Sequence, residues 1–433
     1  MLLQILFLLI ALAAIGFFII NARKISRNIN LGRPLDRSDR PTERTMLMLK
    51  VAFGQTKMAK RPVAFILHLF VYVGFVIINL EVLEIIIDGI FGTHRIFASP
   101  LGGLYNVLIA SFEVLAALVL FGVITFFARR NFLNIKRFSG VEMTKWPTSD
   151  ANIILIAEVL LMSAFLIMNA ADYKLQLLGA AHYPVAGLFP VSGVLVPILP
   201  DSQSALIAIE RICWWFHIIG IFAFLNYLPY SKHLHIILAF PNTYYSKLEP
   251  RGVISNMSEV TNEVKAMLDP SFVPAQAPEG GRFGAKDIND LSWKNLLEAY
   301  TCTECGRCTS VCPANITGKL LSPRKIMMDT RDRTSEVGIN IDKHGKDHND
   351  GKSLLDTYIS REEIWACTSC NACTEACPIN IDPLAIIMEL RRYTVMEESQ
   401  APGALNNMFG NVENNGAPWK YSPADRFNWA ENN

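Results

Sequence analysis

Five apolar stretches, at roughly residues 2–21, 63–87, 104–127, 152–171 and 205–229, are each long enough to cross a hydrocarbon core of about 30 Å. In lipid every backbone N–H and C=O must be satisfied within the protein, so only helices and closed barrels span. These runs are continuously apolar rather than alternating, which predicts five transmembrane helices. The composition agrees, with 51% hydrophobic and only 18% charged residues. The formal net charge of +1 gives no ground for a nucleic-acid partner. We expect an all-α chain in which residues 1–250 form a membrane-embedded helical bundle.

Loop charge sets the expected orientation, because Lys and Arg resist translocation. Segment 22–62 carries eleven of them, from Arg23 to Arg61, and loop 128–150 carries Arg129, Arg130, Lys136, Arg137 and Lys145. Loops 88–103 and 172–203 hold only Arg95 and Lys174. This places the N-terminus outside a cytoplasmic (inner) membrane and everything after the fifth helix in the cytoplasm. The first apolar run has no basic leader, its basic residues follow it, and it reads as a retained anchor. The outer loop contains "GLFPVSGVLVPILP", which is apolar but broken by Pro and Gly, so it should lie on or dip into the interface rather than span it.

Beyond residue 250 the chain turns polar, and "PSFVPAQAPEGGRFGAKD" at 270–287 reads as part of a linker, 251–287. Eight of the nine cysteines follow it, in "CTECGRCTSVCP" and "CTSCNACTEACP". Both motifs have the spacing C-x2-C-x2-C-x3-C-P. Three closely spaced thiolates fit three corners of a [4Fe–4S] cube, and the fourth, before Pro, reaches the other cluster. The expected ligand sets are Cys302, Cys305, Cys308 and Cys377 for one cluster, and Cys367, Cys370, Cys373 and Cys312 for the other. Zinc sites show two separated C-x2-C pairs instead. Residues 288–398 should form a mainly helical two-cluster ferredoxin domain. The polar stretch 333–352 and the tail 399–433, a candidate docking segment, both read as able to order on a partner. Cys213 reads as an inert core thiol.

Histidines at membrane depth are expensive and so mark function. His217 and His235 lie eighteen residues apart, five helical turns, on one face and about 27 Å apart along the axis. They cannot share an iron, but two stacked b-haem sites would use such a face. His68 near the cytoplasmic end of the second helix pairs best with His235, and His217 is the alternative partner. An outer haem at His217 would need His182 or His94. Otherwise no outer haem forms and His217 serves a quinone pocket. Glu81, Glu84, Asp88, Glu113 and Asp172 gather at the outer helix ends, where carboxylates could take protons from a quinol. Equally, several of them simply mark where helices leave the lipid.

The segments "FGQTKMAKRP" before "HLFVYVGF", and "WWFH" before "YLPYSKHLHIILAFPN", resemble the γ subunit of respiratory nitrate reductase. They resemble more closely the cytochrome b part of heterodisulfide reductases and of electron-transfer-flavoprotein:menaquinone oxidoreductases. The γ-type pattern has two His on the second helix and two on the fifth. His68, His217 and His235 match it, while Ile78 and Asn79 stand near the fourth position. "LSWKNLLEAYTCTECGRC" and "LSPRKI" resemble the double [4Fe–4S] subunits of heterodisulfide reductase and of glycolate and glycerol-3-phosphate dehydrogenases. The resemblance implies one or two b haems, a quinone substrate, namely menaquinone, and a separate CCG-domain or flavin-containing redox subunit, since this sequence has no CCG motif. The expected function is a subunit of a quinone-linked oxidoreductase complex that passes electrons between a quinone pool, b haem, two [4Fe–4S] clusters and that partner. A membrane-anchored iron–sulfur sensor or assembly subunit is the alternative.

Overall fold

The computed structural model describes residues 1–133, 135–273 and 282–431. It is helical, and among the described residues no sheet forms, only the isolated bridges Arg33 to Ser292 and Leu355 to Ile359. Five helices are long and apolar enough to cross a membrane: α1 (Leu2–Ile29), α2 (Pro62–Phe91), α3 (Gly103–Asn131), α4 (Lys145–Leu177) and α5 (Gln203–Tyr227). The first four overrun the apolar runs that predict them, while α5 starts two residues earlier and ends two earlier than its run. α4 has 33 residues, about 50 Å at 1.5 Å per residue, because its polar first turns stay helical.

The chain divides into two compact units, one of residues 1–26, 46–241 and 303–305, the other of 27–45, 242–302 and 306–433. In the first, α2 packs on α3, α3 on α4 and α4 on α5. Phe7, Ile78, Tyr105, Phe112, Phe165, Ile218 and Phe222 fill its core. Small residues set the spacing: a Cβ at Gly74 would collide with Val119, and one at Gly220 with Leu161. The loop after α4 does dip inward. Ser192 is fully buried and its hydroxyl donates to the Leu166 carbonyl, 2.9 Å, well inside α4.

In the second unit, α7 (Trp293–Thr301) and α9 (Arg361–Ala366) each end at the first cysteine of a motif, and α8 (Pro323–His344) and α10 (Pro383–Met396) each follow one. α6 (His235–Tyr244) precedes them in the chain and lies in the first unit through Pro241. The two halves interlock. Glu298 on α7 accepts from the N–H of Asp382 at the start of α10, while Glu363 on α9 pairs with Lys325 at the start of α8. Burial raises Glu298 and lowers Lys294, which are nonetheless 2.6 Å apart.

Two expectations change here. A cut at residue 250 misses segment 27–45, which belongs to the second unit. Arg33 N–H donates to the Leu291 carbonyl (2.7 Å), Trp293 N–H returns to Arg33 (3.1 Å), and Leu31 joins the core. A Cβ on Gly32 would strike that backbone. The polar stretch 333–352 is helical through His344, because Arg333 bridges Asp287 and Asp350. Residues 274–281 of the expected linker, and 432–433 of the tail, lie outside the described residues.

Candidate metal centres

The sequence repeat is also a backbone repeat. Cys302 and Cys367 are both extended helix caps, as are Cys312 and Cys377. Between them the chain turns left-handed twice at matching places: Glu304 (φ 55°) with Ser369 (φ 56°), and Gly306 (φ 68°) with Asn371 (φ 59°). Left-handed residues in succession fold a loop around a centre and turn its N–H groups inward, as anionic clusters require. Two amides already point at sulfur: Ser369 N–H to Cys367 Sγ (3.4 Å) and Ile381 N–H to Cys377 Sγ (3.3 Å). None of the nine cysteines is in a disulfide. Cys302 and Cys312 sit in the core, and Cys370 is the exposed one. Among the described residues no three His, Cys, Asp or Glu side chains converge tightly enough for a single ion. A four-iron cube takes its thiolates from wider-spaced corners than one ion with bonds of about 2.3 Å does.

At one end of the membrane bundle, where α2 begins and α5 ends, the rings of His68 and His235 face each other with centroids 6.5 Å apart. Two imidazoles sharing one iron would have centres roughly 6.2 Å apart, from metal–nitrogen bonds of ~2 Å and ring radii of ~1.1 Å, a few tenths of an ångström inside the observed spacing. His68 Nδ1 lies 3.1 Å from Gln55 Oε1, and His235 Nδ1 lies 3.1 Å from the Lys232 carbonyl. With Nδ1–H donated to oxygen, Nε2 is the nitrogen that can ligate. Burial lowers the His235 pKa, which favours the neutral ring. His233 packs edge-on to His235 (5.5 Å) and burial lowers it to about 3.

The loop carrying His235 is pinned by Asp150 on α4. Its carboxylate accepts from Tyr227 OH (2.6 Å), Ser231 OH (2.7 Å) and Lys232 N–H (3.1 Å). Lys232 Nζ pairs with Glu304, next to Cys305, within the first unit. Gln55, Asp150, Lys232 and Glu304 escaped the sequence reading. Gln55 stands within the quoted "FGQTKMAKRP", but nothing in its type or spacing pointed to a ring thirteen residues on. Glu158, alone in the apolar run "ILIAEVLLMSAF" of α4, was also passed over, although a carboxyl at that depth is itself a signal.

His217 is not brought to His68. Its Nδ1 meets the Leu161 carbonyl at 3.0 Å and its ring lies 5.9 Å from Phe165. His182 is exposed, and His94 Nε2 is 3.3 Å from Asp172 against the Tyr183 ring. The far end of the bundle is instead organised by Arg95, which donates to Asp172 (2.6 Å), Asn169 (3.0 Å) and Tyr105 OH (3.1 Å). Glu84 accepts from Tyr105 (2.9 Å), and Glu113 accepts from the N–H groups of Val191 (2.9 Å) and Ser192 (3.0 Å). Glu81 is buried beside them, with Oε2 lacking a hydrogen-bond partner among the described residues.

Residues 301–381 match the 4Fe–4S dicluster domain family. The chain is 27% identical to the probable iron-sulfur-binding oxidoreductase FadF of Bacillus subtilis, over 98% of this chain and 60% of that protein. It is 27% identical to the EtfAB:quinone oxidoreductase of Syntrophomonas wolfei, over 92% of this chain and 55% of that one. A probable membrane-anchored ferredoxin of Chromohalobacter salexigens is 32% identical over 34% of this chain and 24% of its own. The chain thus spans 60% and 55% of the lengths of the first two relatives. No solved structure matches. The resemblance to iron–sulfur oxidoreductases holds, and with five membrane-length helices these matches mark a membrane-associated iron–sulfur electron-transfer protein.

Proposed function

We propose that this chain links a quinone pool to a soluble redox partner, through a b haem held by His68 and His235 and two [4Fe–4S] clusters held by the eight clustered cysteines. The observation that carries this reading is the facing pair of imidazoles, 6.5 Å apart and each oriented through Nδ1, which would hold a haem iron between them. One residue joins the two chemistries: Lys232 holds His235 through its carbonyl and Glu304, beside Cys305, through its ammonium. Haem and clusters, when bound, supply one-electron steps and set the potentials. The chain's part is to orient and insulate. Gln55 and the Lys232 carbonyl fix the rings, and Asp150 fixes the loop that carries one of them.

At the outer end, Glu81 is the residue suited to take a proton from a quinol, because its buried oxygen has no donor to lose. Arg95, with its carboxylate neighbours, keeps the re-entrant loop closed over that end. His217 belongs to the core between α4 and α5, so the reading commits to one haem. The partner, a CCG-domain or flavin-containing subunit, meets the cluster domain in the cytoplasm, with the N-terminus on the outer side of the inner membrane.

An anaerobic absorbance spectrum of the detergent-purified chain, oxidised and dithionite-reduced, tests this when haem and iron are counted against protein. One b haem with about eight non-haem irons, as two cubes require, is the expected result. Iron–sulfur absorbance with no haem would overturn the quinone-linked reading and leave the bundle as an anchor for a sensor or assembly subunit.

A further inference from the structure

We infer that Arg391 is a positioning residue whose charge raises the reduction potential of the cluster at Cys367, Cys370 and Cys373, an inference that rests on the cluster ligation proposed above. Arg391 projects from α10 into the second cysteine loop. Its Nε donates to the Ile364 carbonyl (2.9 Å), its Nη2 to the Cys367 carbonyl, and its Nη1 to the Ser369 hydroxyl (3.3 Å). Its guanidinium carbon lies 5.0 Å over the Trp365 ring. All of these partners are neutral, and no carboxylate among the described residues pairs with it.

A guanidinium does not lose its proton in a protein, so a full positive charge stands one hydrogen bond from the backbone of a ligand. The charge falls where the loop has none of its own. Thr368, Ser369, Asn371 and Ala372 are uncharged, whereas the first loop carries Glu304 and Arg307 at the places of Ser369 and Ala372. The residue matching Arg391 on α8, counted from Pro323 and Pro383, is Arg331, and its guanidinium pairs with Asp332 at 3.0 Å. Cluster potential follows local charge and hydrogen bonding. An added electron is favoured near a fixed cation, so the second cluster is held more oxidising than its thiolates alone would make it.

The test is potentiometry of the purified chain, following the electron paramagnetic resonance signal of each reduced cluster, with Cys370→Ser identifying the second. Arg391→Gln removes the charge, and Arg391→Lys keeps it while losing the fork. Ser369→Asp places a carboxylate beside the guanidinium at the position of Glu304, where φ is already one that Asp accepts. The expected result is a lower midpoint for the second signal in Arg391→Gln and Ser369→Asp, near-native behaviour in Arg391→Lys, and no movement of the first signal. Unmoved midpoints with iron content intact, or equal shifts in the Gln and Lys variants, would overturn the inference. Should Arg391→Gln lose iron, Arg391→Met, which removes the charge and keeps an apolar stem over Trp365, decides by the same shift. A wild-type chain without two clusters would instead overturn the ligation reading, and the iron count separates the two failures.

Discussion

The two ends of the membrane bundle bury polar groups for opposite purposes. Where α2 begins and α5 ends, single hydrogen bonds orient His68 and His235 so that two rings confront each other. Where α2 ends and α3 begins, Arg95 gathers Asp172, Asn169 and Tyr105, and Glu113 caps the re-entrant loop, so the donors and acceptors consume one another. Burying polar groups is costly at either end. The Arg95 end offsets that cost with internal bonds, and at the His68 and His235 end the proposed haem would offset it. The same residue types, His and carboxylate, therefore predict little until their partners are known.

The largest expected effect breaks the first end. His68→Ala or His235→Ala should abolish haem absorbance while the cluster signals persist, and Cys305→Ala should do the reverse. Haem content unchanged in either His variant, measured by pyridine haemochrome, would sink the axial assignment.

Breaking the other end should cost stability rather than cofactor. Arg95→Ala strands Asp172 without its cation, and removing one partner of a buried pair costs about 3–5 kcal/mol. The expected outcome is a markedly lower unfolding temperature in detergent, with haem retained per folded chain. Full stability would mean that the network contributes nothing to holding this end together.

What the sequence disclosed follows the same division. Hydropathy located all five spans, and cysteine spacing located the loops whose left-handed residues repeat in register, since both are local signals. His68 and His235 emerged as a pair, but the count of five turns from His217 to His235 along one helix does not hold. α5 ends at Tyr227, the chain turns at Leu228–Tyr230 and Lys232–Leu234, and His235 opens α6 instead. Asp150 and Gln55 did not emerge, because a carboxylate in a polar first turn and an amide in a basic loop look like solvated residues until the chain closes on them. Segment 27–45 was hidden for a similar reason. Its many arginines read as orientation signals, while the structure uses them, as with fully buried Arg44 donating to the Ser246 carbonyl (2.9 Å), alongside backbone groups that carry no sequence signal.

Asp150 offers a subtler probe. It touches neither ring, yet it fixes the turn from which His235 projects. Outer-shell partners of metal ligands typically change affinity by about 10–100-fold. Asp150→Ala should weaken haem retention by that order without abolishing it, read as haem loss on dilution. Asp150→Asn, which keeps one acceptor oxygen, should fall between it and wild type. Equal haem retention in all three would show that the loop holds its shape unaided.

The smallest structural effect is expected at Glu81, and it separates holding from working at the far end. Because Oε2 has no partner to lose, Glu81→Gln keeps the shape and removes only the ionisable proton. Its stability should fall by less than the roughly 3–5 kcal/mol expected of Arg95→Ala. If Glu81 receives a quinol proton, reduction of the haem by a quinol analogue in stopped flow should slow by about 10²–10⁴-fold, the usual range for a lost general base. Slowed reduction in a fully stable protein would place proton chemistry at this end. Unchanged rates would leave Glu81 with no role in proton transfer, and the far end would then be a lock alone.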